Sequence, residues 1–181
     1  MEANASLIAL LQELQALDRL PRIGYAMRGV DRPESISEHS FHLAFLVWTL
    51  ATEEGVDASR AMAMALVHDL AEVRTGDLPR PATKYLPRAT KLAAEKLVAR
   101  DLLAPLGDRA AALLDEYQAC ETREARFVRL CDKVQLRLKA GVYRQWQTGR
   151  LDDLIASCGD LDASDFPAVA RLLDALPDAE A

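Results

Sequence analysis

Apolar residues recur along this chain at spacings of three and four, and strict alternation of apolar with polar residues is nearly absent. Spacings of three and four place apolar side chains on one face of an α-helix. The pattern therefore predicts an all-α fold. The predicted helices cover residues 6–18, 38–54, 58–73, 87–104, 108–117, 122–147, 151–157 and 163–176.

Local signals support several of these helix ends. Ser35 is followed three residues later by Glu38, which matches a capping box at the start of one helix. Gly55 stands where that helix is expected to stop, and Asp57 can cap the next helix. We therefore expect well-defined boundaries around these two helices.

Two segments, 41–51 and 61–67, are apolar nearly all round, and we expect them to form the centre of a helical bundle, with Trp48 in the core. The three cysteines, Cys120, Cys131 and Cys158, include no Cys-x-x-Cys pair. We interpret them as packing residues rather than as disulfide partners or thiolate metal ligands.

The length of 181 residues and the hydrophobic content of 50% predict a single domain spanning residues 1–181. A net charge of -6 argues against a nucleic-acid polymer or an anionic membrane as partner. The longest uncharged run, 39–52, is shorter than the ~20 residues needed to cross a bilayer. Because the N-terminus also lacks the basic region of a signal peptide, we expect a cytoplasmic protein.

Charge is distributed unevenly along the chain. Segments 19–32 and 74–88 are locally basic, whereas the segment from 151 to the C-terminus is acidic. Such runs are usually solvated faces, but both basic segments lie next to the polar residues described below, and a small anionic ligand fits them.

Histidines and aspartates occur at positions where the pattern predicts burial. His68 and Asp69 end the apolar segment 61–67, and Asp132 lies on an apolar helix face. Buried carboxylates need a cationic partner, hydrogen-bond donors or a metal. Together with His39 they make a candidate four-ligand site suited to Mn, Fe, Co or Zn. Alternatively, His68 is a hydrogen-bonded core histidine and the aspartates pair with arginines.

Three further polar residues lie near this candidate site. His42, one turn after His39, is expected to be a core residue or to support a ligand. Glu72 follows Asp69 by three residues, so on a continuous helix it shares the same face and can act as a general acid or base. Asp77 lies in a Gly-Pro turn close to Glu72, either as a functional acid or as a turn cap.

The order His39, His68-Asp69 and Asp132 resembles the H...HD...D signature of the HD-domain phosphohydrolases. The segments PRIGYAMRGVDRPESISEHS, ALVHDLAEVRTGDLP and EARFVRLCDKVQ are similar to the 5'-deoxynucleotidase branch, which removes phosphate from deoxyribonucleoside 5'-monophosphates. The resemblance covers about residues 6–156, leaving an acidic C-terminal segment 157–181. It implies an α-helical bundle with one divalent metal ion (Mn, Co, Mg, Fe or Zn) between the helices.

The resemblance also implies roles for individual residues. It assigns metal ligation to His39, His68, Asp69 and Asp132, acid or base catalysis to Glu72, and substrate contacts to Asp77 and Arg22. Bacterial members carry an aromatic residue directly after this arginine, whereas here Ile23 follows and Tyr25 comes two residues later. Tyr25 and Arg28 are therefore further candidates for substrate binding, since a guanidinium fits phosphate oxygens in bidentate fashion.

The predicted activity is hydrolysis of nucleoside 5'-monophosphates. Two alternatives stay open: another reaction of the same superfamily, on a phosphodiester or a nucleoside triphosphate, and a catalytically silent module that binds nucleotides. We also expect a homodimer, because Tyr143 and Trp146 extend the apolar stripe of the helix 122–147 beyond Leu138. In the alternative, the C-terminal helices around Leu154 and Leu172 cover this extension.

Overall fold

The computed structural model describes residues 2–156, 158 and 161–176, and within them the chain forms α-helices joined by turns and short 3-10 segments. The one β pairing among those residues is an isolated bridge between Pro21 and Ser35. The all-α prediction is therefore confirmed. The helices are α1 (Glu2–Leu14), α2 (Ile23–Ala26), α3 (Ile36–Ala51), α4 (Ala58–Val67), α5 (Glu72–Thr75), α6 (Arg88–Leu102), α7 (Asp108–Ala119), α8 (Arg123–Gln145), α9 (Asp152–Ala156) and α10 (Pro167–Asp174).

The local signals around α3 and α4 act as predicted. The Ser35 side chain accepts a hydrogen bond from the Glu38 backbone, and the Glu38 side chain accepts one from the Ser35 backbone, which completes the capping box. Gly55 takes a φ of 63° just after α3, a conformation open to glycine at little cost. Asp57 accepts a hydrogen bond from the Arg60 N–H and caps α4.

Helices α3, α4 and α8 enclose the largest hydrophobic core. Leu43 and Val47 of α3, Met64 of α4, and Phe127 and Val134 of α8 are fully buried there. The C-terminal helix α10 closes one end of this core, because Glu54 accepts hydrogen bonds from the first free N–H groups of that helix. The core fixes α3 and α8, which carry His39 and Asp132, and α4, which directly precedes His68 and Asp69.

The prediction that α3 is buried all round is wrong. Trp48 is 55% exposed, and with Phe41 and Phe45 it forms a row of aromatic side chains on the outer face of the helix. His42 is also exposed and contacts Phe41, so it is neither a core residue nor a support for a ligand. The outer face of α3 has no packing partner in the described part of the chain.

The helix predicted over 58–73 is divided in two. Helix α4 ends at Val67, and a turn containing His68 and Asp69 precedes the short helix α5. The Asp69 carbonyl accepts the Glu72 N–H over three residues, which tightens the chain here. Gly76 ends α5 with a φ of 72°. The first predicted helix likewise ends earlier, at Leu14, and continues as the 3-10 segment Gln15–Arg19.

The prediction that Tyr143 and Trp146 form a partner surface at the end of α8 is wrong for Tyr143. Tyr143 is 1% exposed, and its hydroxyl accepts a hydrogen bond from the Glu34 N–H, so it is a core residue and not part of a partner surface. Trp146 is 65% exposed.

Cys131 and Cys158 are buried and Cys120 is half-buried, and no disulfide joins described residues, as expected. No described helix is long and apolar enough to span a membrane.

Candidate metal centre

Two buried histidines from different parts of the fold meet at one point. His39 lies in the first turn of α3, where the capping box fixes the helix start, and its side chain is fully buried. His68 directly follows α4, so the packing of that helix in the core determines where its ring lies. The centroids of the two imidazole rings are 5.3 Å apart.

Asp69 places a carboxylate between these imidazoles. Its Oδ2 atom lies 3.0 Å from His68 Nε2 and 3.8 Å from His39 Nε2. One donor atom from each of the three residues lies within 4.8 Å of the others, so a single cation could contact all three. Asp132 of α8 borders this cluster, with Oδ1 3.3 Å from His39 Nε2 and Oδ2 accepting from Lys133 Nζ at 2.8 Å.

In each histidine, Nε2 faces the cluster, and the contact made by Nδ1 determines whether Nε2 is free to act as an acceptor. His68 Nδ1 lies 2.7 Å from the carbonyl oxygen of Ala65, which can only accept, so Nδ1 donates. His39 Nδ1 lies 2.7 Å from Gln135 Oε1, and the Gln135 amide nitrogen donates to both carboxylate oxygens of Glu34. This second contact fixes the amide orientation, so His39 Nδ1 also donates.

The remaining ring nitrogens fit a divalent cation. Both Nε2 atoms are buried, and neither makes a hydrogen bond to any residue within the described ranges. In the neutral rings each Nε2 carries a lone pair close to carboxylate oxygens, an arrangement that repels unless a positive charge lies between them. Imidazole nitrogens with carboxylate oxygens are a ligand set that first-row divalent metals accept.

The electrostatics of the cluster favour positive charge at this point. Burial and the charge of Arg22 lower the pKa of His39, but the carboxylates of Asp132 and Glu34 outweigh them and raise it to about 9. Despite burial, the pKa of Asp69 lies well below its usual value, because the adjacent imidazole and guanidinium groups stabilise the anion. Either a proton or a metal ion at His39 Nε2 would supply positive charge that balances these carboxylates.

The sequence left two interpretations of the aspartates open, as candidate metal ligands or as partners of arginines, and the structure contains features of both. Asp69 Oδ2 also contacts Arg22, whose guanidinium NH1 atom lies 3.3 Å away. Asp132 pairs with a lysine rather than with an arginine. The aspartates are therefore balanced by cationic side chains and still present oxygens to the two histidines.

Glu72 contributes a buried carboxyl group beside the cluster. Its Oε1 atom lies 3.4 Å from Lys91 Nζ, and its Oε2 atom has no hydrogen-bond partner among the residues the structure describes. Burial, reinforced by the negative charges of Asp69 and Asp77, raises the pKa of Glu72 to about 9, although Lys91 opposes the shift. The group is therefore protonated at neutral pH, as a general acid must be.

The other predicted residues lie around the cluster and already have partners. Asp77 Oδ2 accepts a hydrogen bond of 2.7 Å from the Ile23 N–H, which joins the turn after α5 to the start of α2. Tyr25 is 2% exposed, and its hydroxyl donates to the Leu136 carbonyl. Arg28 makes two hydrogen bonds to Asp153, at 2.9 and 2.6 Å.

Two cavities adjoin the candidate centre. One, of about 480 Å³, is lined by Arg22, Tyr25, Arg28, Asp77 and Leu136 among others. The second, of about 370 Å³, is lined by His68, Asp69 and Asp132 together with Lys91, Glu95 and Tyr117. Lys133 lines both cavities. The second cavity therefore reaches the cluster directly, whereas the first borders it through Arg22 and Lys133.

The sequence reasoning missed four residues of this site: Glu34, Lys91, Lys133 and Gln135. A signal existed for Gln135, because it follows Asp132 by three residues and so lies on the same helix face. Lys133 is adjacent to Asp132 in the chain. Nothing local indicates Glu34 or Lys91, because their roles depend on contacts between distant segments.

The fold and the site together place this protein among α-helical bundle proteins in which two histidines and an aspartate are arranged to bind one cation. The model of the HD domain family matches residues 14–155, and the chain belongs to that family. It is 32% identical over 158 residues to the Homo sapiens protein 5'-deoxynucleotidase HDDC2, covering 84% of this chain and 76% of that protein.

Further relatives extend this similarity. The chain is 30% identical to 5'-deoxynucleotidase YGK1 of Saccharomyces cerevisiae, across 80% of this chain and 70% of that one. Its fold resembles that of the PH0347 protein from Pyrococcus horikoshii OT3, with a TM-score of 0.77, 33% identity, and coverage of 92% and 97%. The resemblance drawn from the sequence motifs is confirmed.

Proposed function

We propose that this protein is a metal-dependent phosphohydrolase that removes the 5'-phosphate from nucleoside 5'-monophosphates, deoxyribonucleotides included. One observation carries the proposal: two buried Nε2 atoms without hydrogen-bond partners in the described chain converge on Asp69, next to the Arg22 guanidinium and the buried carboxyl group of Glu72. The relatives named 5'-deoxynucleotidase support the substrate class.

His39, His68 and Asp69 would hold the cation, with Asp132 as the fourth ligand, and the set suits Mn, Fe, Co or Zn better than Mg. When bound, the cation supplies Lewis acidity and lowers the pKa of a coordinated water. The hydrogen bonds at Nδ1 orient both imidazoles so that their Nε2 atoms face the cation.

The residues of the chain supply charge neutralisation and a proton. Arg22 is positioned to bind phosphate oxygens, since its guanidinium already lies at the cluster. Glu72 would protonate the 5'-oxygen of the departing nucleoside as its bond to phosphorus breaks and the bond from water to phosphorus forms, and the proton that this water loses would later return to Glu72. The carboxylate left on Glu72 would be stabilised by Lys91, 3.4 Å away.

The nucleoside would occupy the cavity of about 480 Å³, whose volume is within the usual range for small-molecule sites. Leu136 and Leu154 offer apolar surface there, while the Arg28–Asp153 pair forms part of the wall. Asp77 supports this wall by holding the backbone of Ile23, next to Arg22.

The test is phosphate release from a panel of ribo- and deoxyribonucleoside monophosphates, after chelation and re-addition of Mn, Co, Mg, Fe or Zn. The proposal expects release from monophosphates that depends on added metal. Release only from cyclic nucleotides or triphosphates would replace it with another reaction of the superfamily. Tight nucleotide binding without turnover under any metal would identify a silent module.

We also propose that the protein forms a homodimer through the outer face of α3 rather than through Trp146. Phe41, Phe45 and Trp48 are more than half exposed there, and no charged residue occurs between 39 and 52. An uncharged, aromatic helix face suits two-fold contact between copies that each carry a charge of -6. Light scattering should report a dimer that Phe45→Ser makes monomeric and Trp146→Ala does not. A monomeric parent protein, or a dimer that only Trp146→Ala disrupts, would overturn this assignment.

A further inference from the structure

Glu34 is a buried carboxylate for which the proposed reaction has no use. Its side chain is 0% exposed, and it directly precedes the N-cap residue of α3. The backbone of Glu34 is held independently of the side chain, since its carbonyl accepts from Arg22 N–H and its own N–H donates to the Tyr143 hydroxyl. The carboxylate is therefore not needed to keep this segment in place.

That carboxylate makes contacts that lead to the metal centre. Its two oxygens accept from the Gln135 amide nitrogen at 3.4 and 3.1 Å, and Lys139 Nζ lies 3.8 Å away. The same amide presents its oxygen to His39 Nδ1 at 2.7 Å. A carboxylate can only accept, so it determines which end of the amide faces the histidine.

We propose that Glu34 is a positioning residue that acts through Gln135 to keep the proton of neutral His39 on Nδ1, leaving Nε2 free to bind the cation. This inference rests on the metal centre of the proposed function. Glutamine at position 34 can donate as well as accept, so Gln135 can turn over and present its nitrogen to His39. The ring proton then moves to Nε2, where it excludes a metal.

Glu54 supplies a matched control. It is also a buried glutamate, 5% exposed, but it accepts backbone N–H groups of Ala168 and Val169, at 2.6 and 3.1 Å, on α10. Glu54→Gln removes a buried negative charge of the same kind and leaves the metal ligands untouched. A general effect of losing a buried carboxylate would therefore appear in both variants.

The first measurement is the affinity of the purified protein for Zn2+ by competition with a chelator. Glu34→Gln should weaken binding by about 10–100-fold, the usual effect of removing a group that orients a ligand. Glu54→Gln should stay within about threefold of the parent, well below that range. The exchange Glu34→Gln with Gln135→Glu should restore most of the affinity, because the carboxylate then accepts directly from His39.

The second measurement does not need metal. In selectively 15N-histidine-labelled protein above about pH 9, where the metal-free His39 ring is neutral, the Nδ1–H signal of His39 should be present in the parent, lost in Glu34→Gln, and recovered in the exchange variant. The His68 Nδ1–H, bonded to a backbone carbonyl, serves as an internal reference that should not change.

The outcomes separate this inference from the proposed function. Unchanged Zn2+ affinity and an unchanged His39 signal in Glu34→Gln would refute the positioning role. Equal losses in Glu54→Gln would also refute it, by showing a non-specific effect. A parent protein that binds none of the divalent metals would instead contradict the proposed function, while the His39 signal would still test the hydrogen-bond relay.

Discussion

Replacing Glu72 with glutamine tests the proposed acid most directly. The carboxyl group is buried and, before metal binds, its pKa is raised to about 9, so the protonated form predominates at pH 7. Glutamine keeps the size of the side chain and has no proton to give. We expect kcat for a nucleoside monophosphate to fall by about 10²–10⁴-fold, the usual contribution of a positioned acid.

The pH dependence and the leaving group give this prediction its controls. A raised pKa means that the acid form is present at low pH and is lost as pH rises through it, so parental activity should decline on the alkaline side, at or below about pH 9. Bound metal adds positive charge and shifts this alkaline limb of the pH–activity profile to lower pH. The Gln variant should lack the limb, and it should be nearly as active as the parent on an aryl phosphate whose leaving group needs no proton. A Gln variant that loses equal activity on both substrates, or keeps the alkaline limb, would refute the acid role.

Three further substitutions have distinct expected results. Asp69→Asn should abolish metal binding and activity together in elemental analysis and phosphate assays; retained metal would show that Asp69 is not a ligand. Tyr143→Phe should lower the free energy of unfolding in urea by about 1–3 kcal/mol, because it leaves the Glu34 N–H without its acceptor, and no change would indicate another partner. Gly76→Ala should cost about 1–3 kcal/mol in the same assay, because its φ of 72° and ψ of 160° lie in a region that essentially only glycine adopts, although open space surrounds the site; a stabilised variant would contradict this.

What the sequence predicted well was local. The capping box of Ser35 and Glu38 and the cap of Asp57 depend on residues three apart, so the printed order contains all the required information. The candidate ligands His39, His68 and Asp69 could be found because polar groups interrupt apolar helix faces. Their meeting within 4.8 Å then follows from the packing of α3 and α4.

The features that the sequence predicted poorly depend on which helix faces are covered by other parts of the chain. Trp48 and Tyr143 both lie on apolar helix segments, yet one is 55% exposed and the other is buried. The difference arises because residues 30–34 and the loop before α9 cover the end of α8, whereas nothing in the described chain covers the outer face of α3. Within the break between α4 and α5, Asp69 contacts Arg22 from a distant segment, and no local pattern predicts such a contact.

The Asp69 Oδ2 atom contacts both His68 and Arg22, so a cation and a guanidinium compete for one oxygen. A cation bound there would release the guanidinium, and an anion that engaged the guanidinium would free the oxygen for the cation. Each ligand would then raise the affinity of the other. Thermodynamic linkage requires the two enhancement factors to be equal. Under the proposed function, metal and phosphate would therefore bind more tightly together than either binds alone.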